Sequence, residues 1–284
     1  MRNLRRLAAG VLVVAAASLA GCSVASVFYG QVDWVVTDYI ADLAELRSEQ
    51  RAQLAERLRE VHAWHRRDEL PRYRALLDDA IGALDRGLTV AETEALYERG
   101  RERYRLLMAR VGTAVAPTLV DLDMSQIEVL ERNLSARNEE FKEDFAASDP
   151  EERKARRRER MEERFERLTG DLNDQQLADL GRRSDEFPDS GQLWLDYRVA
   201  QQIRLLGMLK TGKPASVIEA QLRDWFSEGL DRGARLDALS AELERRLLRT
   251  VVAVVNSLDK AQSAYLREQL GDFSELAMQL NEDS

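Results

Sequence analysis

Cysteine, histidine and proline are scarce in this chain, and each scarcity excludes something. With Cys22 as the single cysteine of 284 residues, no internal disulfide can form, so stability has to come from packing alone. The two histidines, His62 and His65, are too few for a histidine-rich metal centre. Five prolines leave long stretches in which nothing interrupts a helix. There is no Gly-rich phosphate loop, no Ser-centred elbow and no metalloprotease helix motif. No alternating apolar and polar run is long enough to read as a strand. Carboxylates are so abundant, 51 against 42 basic residues, that a pair of them is no sign of glycoside hydrolysis.

What is present begins with an export signal. Arg2, Arg5 and Arg6 form a positive start, and Leu7 to Ala17 form a short apolar run rich in Ala and Val, the layout of a secretory signal. Leu19-Ala20-Gly21-Cys22 then matches the bacterial lipobox, where a thiol carrying diacylglycerol is followed by cleavage before the cysteine. The expected division is a signal peptide over residues 1–21 and a mature domain over 22–284. An uncharged run from Leu7 to about Tyr29 is also long enough to span a bilayer, but position, flanking charge and lipobox agree on lipidation of Cys22. Diacylglycerol and an N-acyl chain on Cys22 would give stable anchoring, since one acyl chain alone binds marginally; no other cofactor is expected. Ser23, where Asp would retain the protein in the inner membrane, directs it to the periplasmic face of the outer membrane. Loss of residues 1–21, which hold three Arg and no acid, takes the net charge from -9 to -12. That balance argues against nucleic acid as a partner.

The rest reads as all-α, an elongated multi-helix bundle, with 33% charged residues and 44% hydrophobic ones. Val32, Val35, Val36, Tyr39, Ile40 and Leu43 continue a three- and four-residue rhythm that starts at Val24, Val27 and Phe28. Leu54, Leu58, Val61 and His65 form a second stripe, expected to end near Pro71, which disfavours helix at Leu70. A break is expected from Gly112 to Pro117.

One local pattern recurs. Leu88-Thr89-Val90-Ala91-Glu92, Leu122-Asp123-Met124-Ser125-Gln126, Leu172-Asn173-Asp174-Gln175-Gln176 and Leu258-Asp259-Lys260-Ala261-Gln262 each place a capping residue after leucine and Glu or Gln three positions later, a capping box. Leu46-Arg47-Ser48-Glu49-Gln50 is a degraded copy with Arg47 at the cap. Their uneven spacing speaks against a solenoid. The pattern loosely resembles the Leu-Thr-x-x-Gln motif of helical periplasmic stress proteins of the Spy and CpxP kind, although Thr survives only at Thr89 and Glu92 replaces Gln there. That resemblance implies a chaperone-like role. Asp149-Pro150-Glu151-Glu152 marks another helix start. The tract after it, with Arg156-Arg157-Arg158 interleaved with Glu159, Glu162, Glu163 and Glu166, reads as a solvated, salt-bridged helix.

The residues most like a chemical site are His62, Trp64, His65, Arg66, Glu69 and Tyr73. His62 and His65 share a helix face and Glu69 follows one turn later, the only ligand types close enough in sequence for zinc. His65 also continues the apolar stripe, where a satisfied structural histidine is the ordinary explanation. No catalytic residue and no metal ligand is assigned on these grounds.

Asp33-Trp34, Ser48-Glu49-Gln50, the run from Trp64 to Tyr73 (Trp-His-Arg-Arg-Asp-Glu-Leu-Pro-Arg-Tyr), Arg137 to Phe141 and Ser148 to Arg153 together resemble an uncharacterised Gram-negative lipoprotein family, the domain-of-unknown-function family 6279. The resemblance implies a helical envelope lipoprotein without an established activity. The functional expectation is an interaction, scaffold or chaperone-like protein whose partners are the membrane, through its lipid, and an envelope protein or unfolded client. The alternative is a hydrolase of peptidoglycan or another envelope polymer centred on His62, His65 and Glu69.

Overall fold

The structure, a computed structural model, describes residues 29–146, 149–229 and 232–282. The signal segment, the lipobox with Cys22 and the first positions of the N-terminal stripe, Val24 to Phe28, lie outside the described residues. Helices follow one another as α1 (Val32–Ala44), α2 (Ser48–Trp64), a π turn (His65–Glu69), α3 (Leu70–Leu84), α4 (Val90–Val120), α5 (Met124–Phe145), α6 (Pro150–Thr169), α7 (Asp174–Asp185), α8 (Gly191–Lys210), α9 (Ala215–Arg223), a second π turn (Asp224–Glu228), α10 (Gly233–Asn256) and α11 (Lys260–Glu282). There is no strand among the described residues. None of the described helices is long and apolar enough to cross a membrane.

The core is divided among three clusters of buried residues. Leu54 and Leu58 of α2, Leu119 of α4, Ile127 and Leu130 of α5, Leu205 of α8 and Ile218 of α9 belong to the main cluster. Leu172, Leu180 and Val254 form a second cluster with Phe165 and Leu177 packed against it. Leu70, Ala277 and Leu280 form a third, covered by Tyr29 and Tyr73.

The recurring boxes do more than start helices: they join them in pairs. Gln50 and Gln126 exchange amide hydrogen bonds, with Nε2 of each donating to Oε1 of the other at 3.2 and 2.9 Å. Each Nε2 also donates to a carbonyl of the opposite junction, Gln50 to Asp121 O at 2.7 Å and Gln126 to Glu45 O at 3.0 Å. The second pair repeats the device. Gln176 and Gln262 exchange bonds at 2.9 and 3.0 Å and reach Ser257 O and Asp171 O. All four glutamines are buried, and satisfied buried amides fix which helix ends meet, because a slipped pairing would leave them unbonded. The junction before α2 is thereby locked to the junction before α5, and the junction before α7 to that before α11. Arg47 cannot accept from a backbone N–H. Gln50 still reaches back to Arg47 N at 2.9 Å, and the Arg47 guanidinium crosses to the cap of α5, Asp123, at 2.7 Å. The box at Thr89 has no glutamine partner; Asn256 instead holds Leu88 by both its N–H and its carbonyl.

Two expected helix ends do not occur. Helix α4 runs unbroken through Gly112 and Pro117. Gly112 sits against Leu222 of α9, whose Cβ would lie 3.4 Å from an added Cβ, and the neighbouring Ala114, Val115, Ala116 and Leu119 are buried. Burial of that face outweighs the weak helix propensity of both residues. The stripe of α2 likewise does not stop at Pro71 but passes into α3 through the π turn. At α6, Asp149 accepts from Glu151 N at 2.9 Å, while Glu152 pairs with Arg156 at 2.6 Å.

Candidate functional site

Proline 71 has no N–H for the carbonyl of Arg67, one turn back. The chain answers by widening: Leu70 N–H donates to His65 O, five residues back, so the carbonyls of Arg66 and Arg67 are both left without their usual helical donors. Asn281, near the end of α11, donates its Nδ2 to these two oxygens at 2.8 and 3.3 Å, and Arg66 Nε returns a bond of 3.0 Å to Leu280 O. A single π turn of this kind is common at functional positions, and here it is clamped by residues more than 200 positions away. Asn281→Ala should therefore cost about 1–2 kcal/mol, read as a lower urea midpoint at unchanged slope; an unchanged midpoint would show that water serves those carbonyls equally well.

The π turn carries His65, Arg66 and Glu69, with His62 and Trp64 on α2 before it and Tyr73 on α3 after it. His65 Nδ1 receives the Tyr29 hydroxyl proton at 2.6 Å, and the Tyr73 ring lies 5.3 Å away on its other side. His62 stacks edge-on against Tyr29 at 4.9 Å and sets Nδ1 3.4 Å from Asp33 Oδ1. Trp64 is buried, its ring edge-on to that of His65 at 6.3 Å and covered by Arg110 at 4.1 Å. Glu69 is buried and faces Arg103 at 3.6 Å and Arg72 at 3.8 Å. The three residues that share a face by spacing thus point at three different partners, and among the described residues no group of three or more His, Cys, Asp or Glu is placed to hold a metal ion.

The electrostatics fix the protons. Burial, followed by the nearby His62, pushes His65 down to about 4. Burial lowers His62 too, against the pull of Asp33. Burial raises the Tyr29 and Tyr73 hydroxyls, Tyr73 to about 12. At neutral pH a protonated Tyr29 donates to a neutral His65 whose remaining proton is on Nε2. A histidine held that far below neutrality is a poor general base there, and the arrangement reads as a latch joining the N-terminal segment to the π turn.

A second arrangement, spread over six elements, was not found by motif. A cleft of about 1040 Å³ is lined by α4, α5, α6, α8, the second π turn and α10. Among the described residues nine aromatic side chains line it, half of the 18 in the chain, together with eight arginines and four acids. Arg153, Arg157, Arg160 and Arg164, spaced four, three and four apart, present one face of α6 to it. Helix α6 is salt-bridged as expected, but one of its faces turns into the cleft. Lys154 and Arg156 pair with glutamates of their own helix, and Arg153 and Arg158 reach Asp189 and Asp185, whereas Arg157 donates to the carbonyl of Ser184 at 3.1 Å, and Arg160 lies over the Phe145 ring at 5.0 Å. Gly191 closes the floor, with no room for a Cβ beside the Phe145 carbonyl. The arginine spacing was legible in the sequence. The glutamates between them masked it, because spacing alone does not say which face of a helix meets solvent.

No curated protein and no solved structure matches the chain. The model of a family of unknown function, DUF6279, matches residues 41–230, about two-thirds of the length, from the end of α1 to just past the second π turn. That span holds the Trp64 to Tyr73 run, the first glutamine pair and most of the cleft, so the chain belongs to the DUF6279 family of unknown function.

Proposed function

We propose that the chain is a lipid-anchored periplasmic envelope protein, held at the outer membrane by acylated Cys22, that works as a non-enzymatic interaction or chaperone-like protein through the cleft between α4, α5, α6 and α8. The observation that carries this reading is the concentration of aromatic and arginine side chains in one large concave surface. Trp, Tyr and Arg are the residues that dominate protein interfaces, and concave surfaces are where ligands are bound. Support for the anchor comes from the lipobox Leu19-Ala20-Gly21-Cys22. The hydrolase alternative draws less support, because His62, His65 and Glu69 diverge onto Asp33, Tyr29 and Arg103.

Two measurements test the two halves. Wild-type protein should incorporate labelled palmitate and lose residues 1–21, whereas Cys22→Ala should do neither; palmitate incorporation by the variant, or none by the wild type, would overturn lipid anchoring at Cys22. Purified mature protein should suppress aggregation of a chemically unfolded client at near-stoichiometric ratio. Absence of suppression removes the chaperone-like role.

A further inference from the structure

The charge in the cleft is neutralised from within only in part: Arg153, Arg101 and Arg232 pair with Asp189, Glu244 and Asp237. Among the described residues Arg160 and Arg164 form no ion pair, Arg157 is bonded to a carbonyl, and Arg198 is bonded to the amide oxygen of Asn138 at 2.8 Å. Burial comes first in pushing Arg157, Arg160 and Arg198 below the ordinary guanidinium value; for Arg160 the charges of Arg164, Arg156 and Arg157 push the same way, against Asp144. A protein with nine more acids than bases thus gathers partly desolvated, mutually repelling cations at one place. Such an arrangement opposes folding in isolation and is relieved when an anion enters.

The same wall alternates charge with rings. Arg160 lies over Phe145, Arg198 over Phe141 at 5.7 Å and Arg101 over Tyr97 at 5.7 Å, while Trp225 and Phe226 stack at 4.7 Å. An anionic lipid, with its charge at one end and its apolar chain at the other, needs a charged mouth leading to a dry tunnel. Here cation and ring are neighbours throughout. The ligand that matches has carboxylates and apolar groups interleaved at side-chain spacing.

We infer that the cleft binds an acidic polypeptide segment in which Asp or Glu alternates with aromatic or aliphatic residues, its carboxylates meeting Arg157, Arg160, Arg164 and Arg198 and its apolar side chains packing on the intervening rings. This rests on the interaction-protein reading above and names its partner class. Carboxylate recognition by clustered arginines is a known mode of peptide binding, and the rings supply the apolar anchor that pure charge pairing lacks.

The test uses the mature protein and three fluorescein-labelled twelve-residue peptides: one alternating Glu with Phe and Leu, one with Gln replacing every Glu, one with Lys replacing every Glu. The Glu peptide should bind saturably, the Gln peptide about tenfold more weakly, and the Lys peptide not measurably. In the Arg160→Gln/Arg164→Gln double variant, affinity for the Glu peptide should fall about tenfold while the melting temperature stays level or rises, since a repulsion is removed. A merely structural role for these arginines would lower the melting temperature instead. If the Glu and Gln peptides bind equally, the acidic-partner inference fails and the interaction reading stands. Should lysophosphatidylglycerol below its micellar concentration bind saturably and displace the Glu peptide, the partner is an anionic lipid and the inference is overturned. Binding of none of these probes, by a protein that also fails to suppress client aggregation, removes both.

Discussion

Gln126→Leu should lower the unfolding free energy by about 3 kcal/mol, because the leucine takes the bonding partner from Glu45 O and from Asp123 N–H and breaks the exchange with Gln50. The Gln126 amide donates to Glu45 O at 3.0 Å and Gln50 Oε1 at 2.9 Å, and accepts from Gln50 Nε2 and Arg47 Nη1, each at 3.2 Å. Glu45 is the residue that ends α1 in the left-handed region, at φ 47°, and its carbonyl is held there by Gln126. The apolar gain of leucine does not offset this, since a buried polar group without a partner costs about 1–3 kcal/mol on its own. A Gln50→Leu/Gln126→Leu double variant should be less destabilised than the sum of the single ones by about 1–2 kcal/mol, the signature of two groups bonded to each other. Urea unfolding of the four proteins measures the cycle, and strict additivity would show that the two amides do not act as a pair. Gln176 and Gln262, joined in the same way, should give a matching cycle.

Acidification should destabilise the protein well before its carboxylates titrate. In the fold, His65 is held at about 4 by burial and by its neighbour His62, whereas in the unfolded chain it takes a proton near 6.5. Below about pH 6.5 the unfolded state therefore binds more protons than the folded one, so stability is full above that pH and falls until the folded value near 4 is passed. Between pH 6.5 and 5 the loss attributable to His65 is about 2 kcal/mol, and His62, lowered mainly by burial, adds to it in the same direction. His65→Asn keeps an acceptor facing the Tyr29 hydroxyl without a titrating ring. Its urea midpoint should be lower at pH 7 and change less between pH 6.5 and 5 than that of the wild type. Parallel pH profiles for the two proteins would refute the latch.

Much of the helical layout could be read along the chain. Asp123, Asn173 and Thr89 cap the helices that their boxes predict, and Leu54, Leu58, Leu122 and Leu172 fall in the cores that their periodicity predicts. These are local matters: a cap and its helix start lie within four residues, and a stripe repeats every turn. The errors fall where distant parts of the chain decide. Pro71 reads as a stop because nothing nearby can serve the carbonyls it deprives, and the donor that does so, Asn281, lies on the last helix. Gly112 reads as a break because its value is the space it leaves for Leu222.

The two candidate sites divide in the same way. His62, His65 and Glu69 stand out in sequence as scarce, chemistry-bearing types at helical spacing, yet the π turn and the partners Tyr29, Asp33 and Arg103 make them a latch. The cleft draws Tyr97, Phe141, Arg160, Trp194 and Trp225 from five elements, at positions outside the motifs that start those helices. By itself the sequence determined helix content and capping, and it carries the lipobox on which the proposed lipid address at Cys22 rests, because each depends on residues within a few positions of one another. Tertiary structure alone decided which glutamines would pair, which face of α6 would turn inward and where half the aromatic rings would gather, because burial and charge pairing act between surfaces that meet only once the helices have packed.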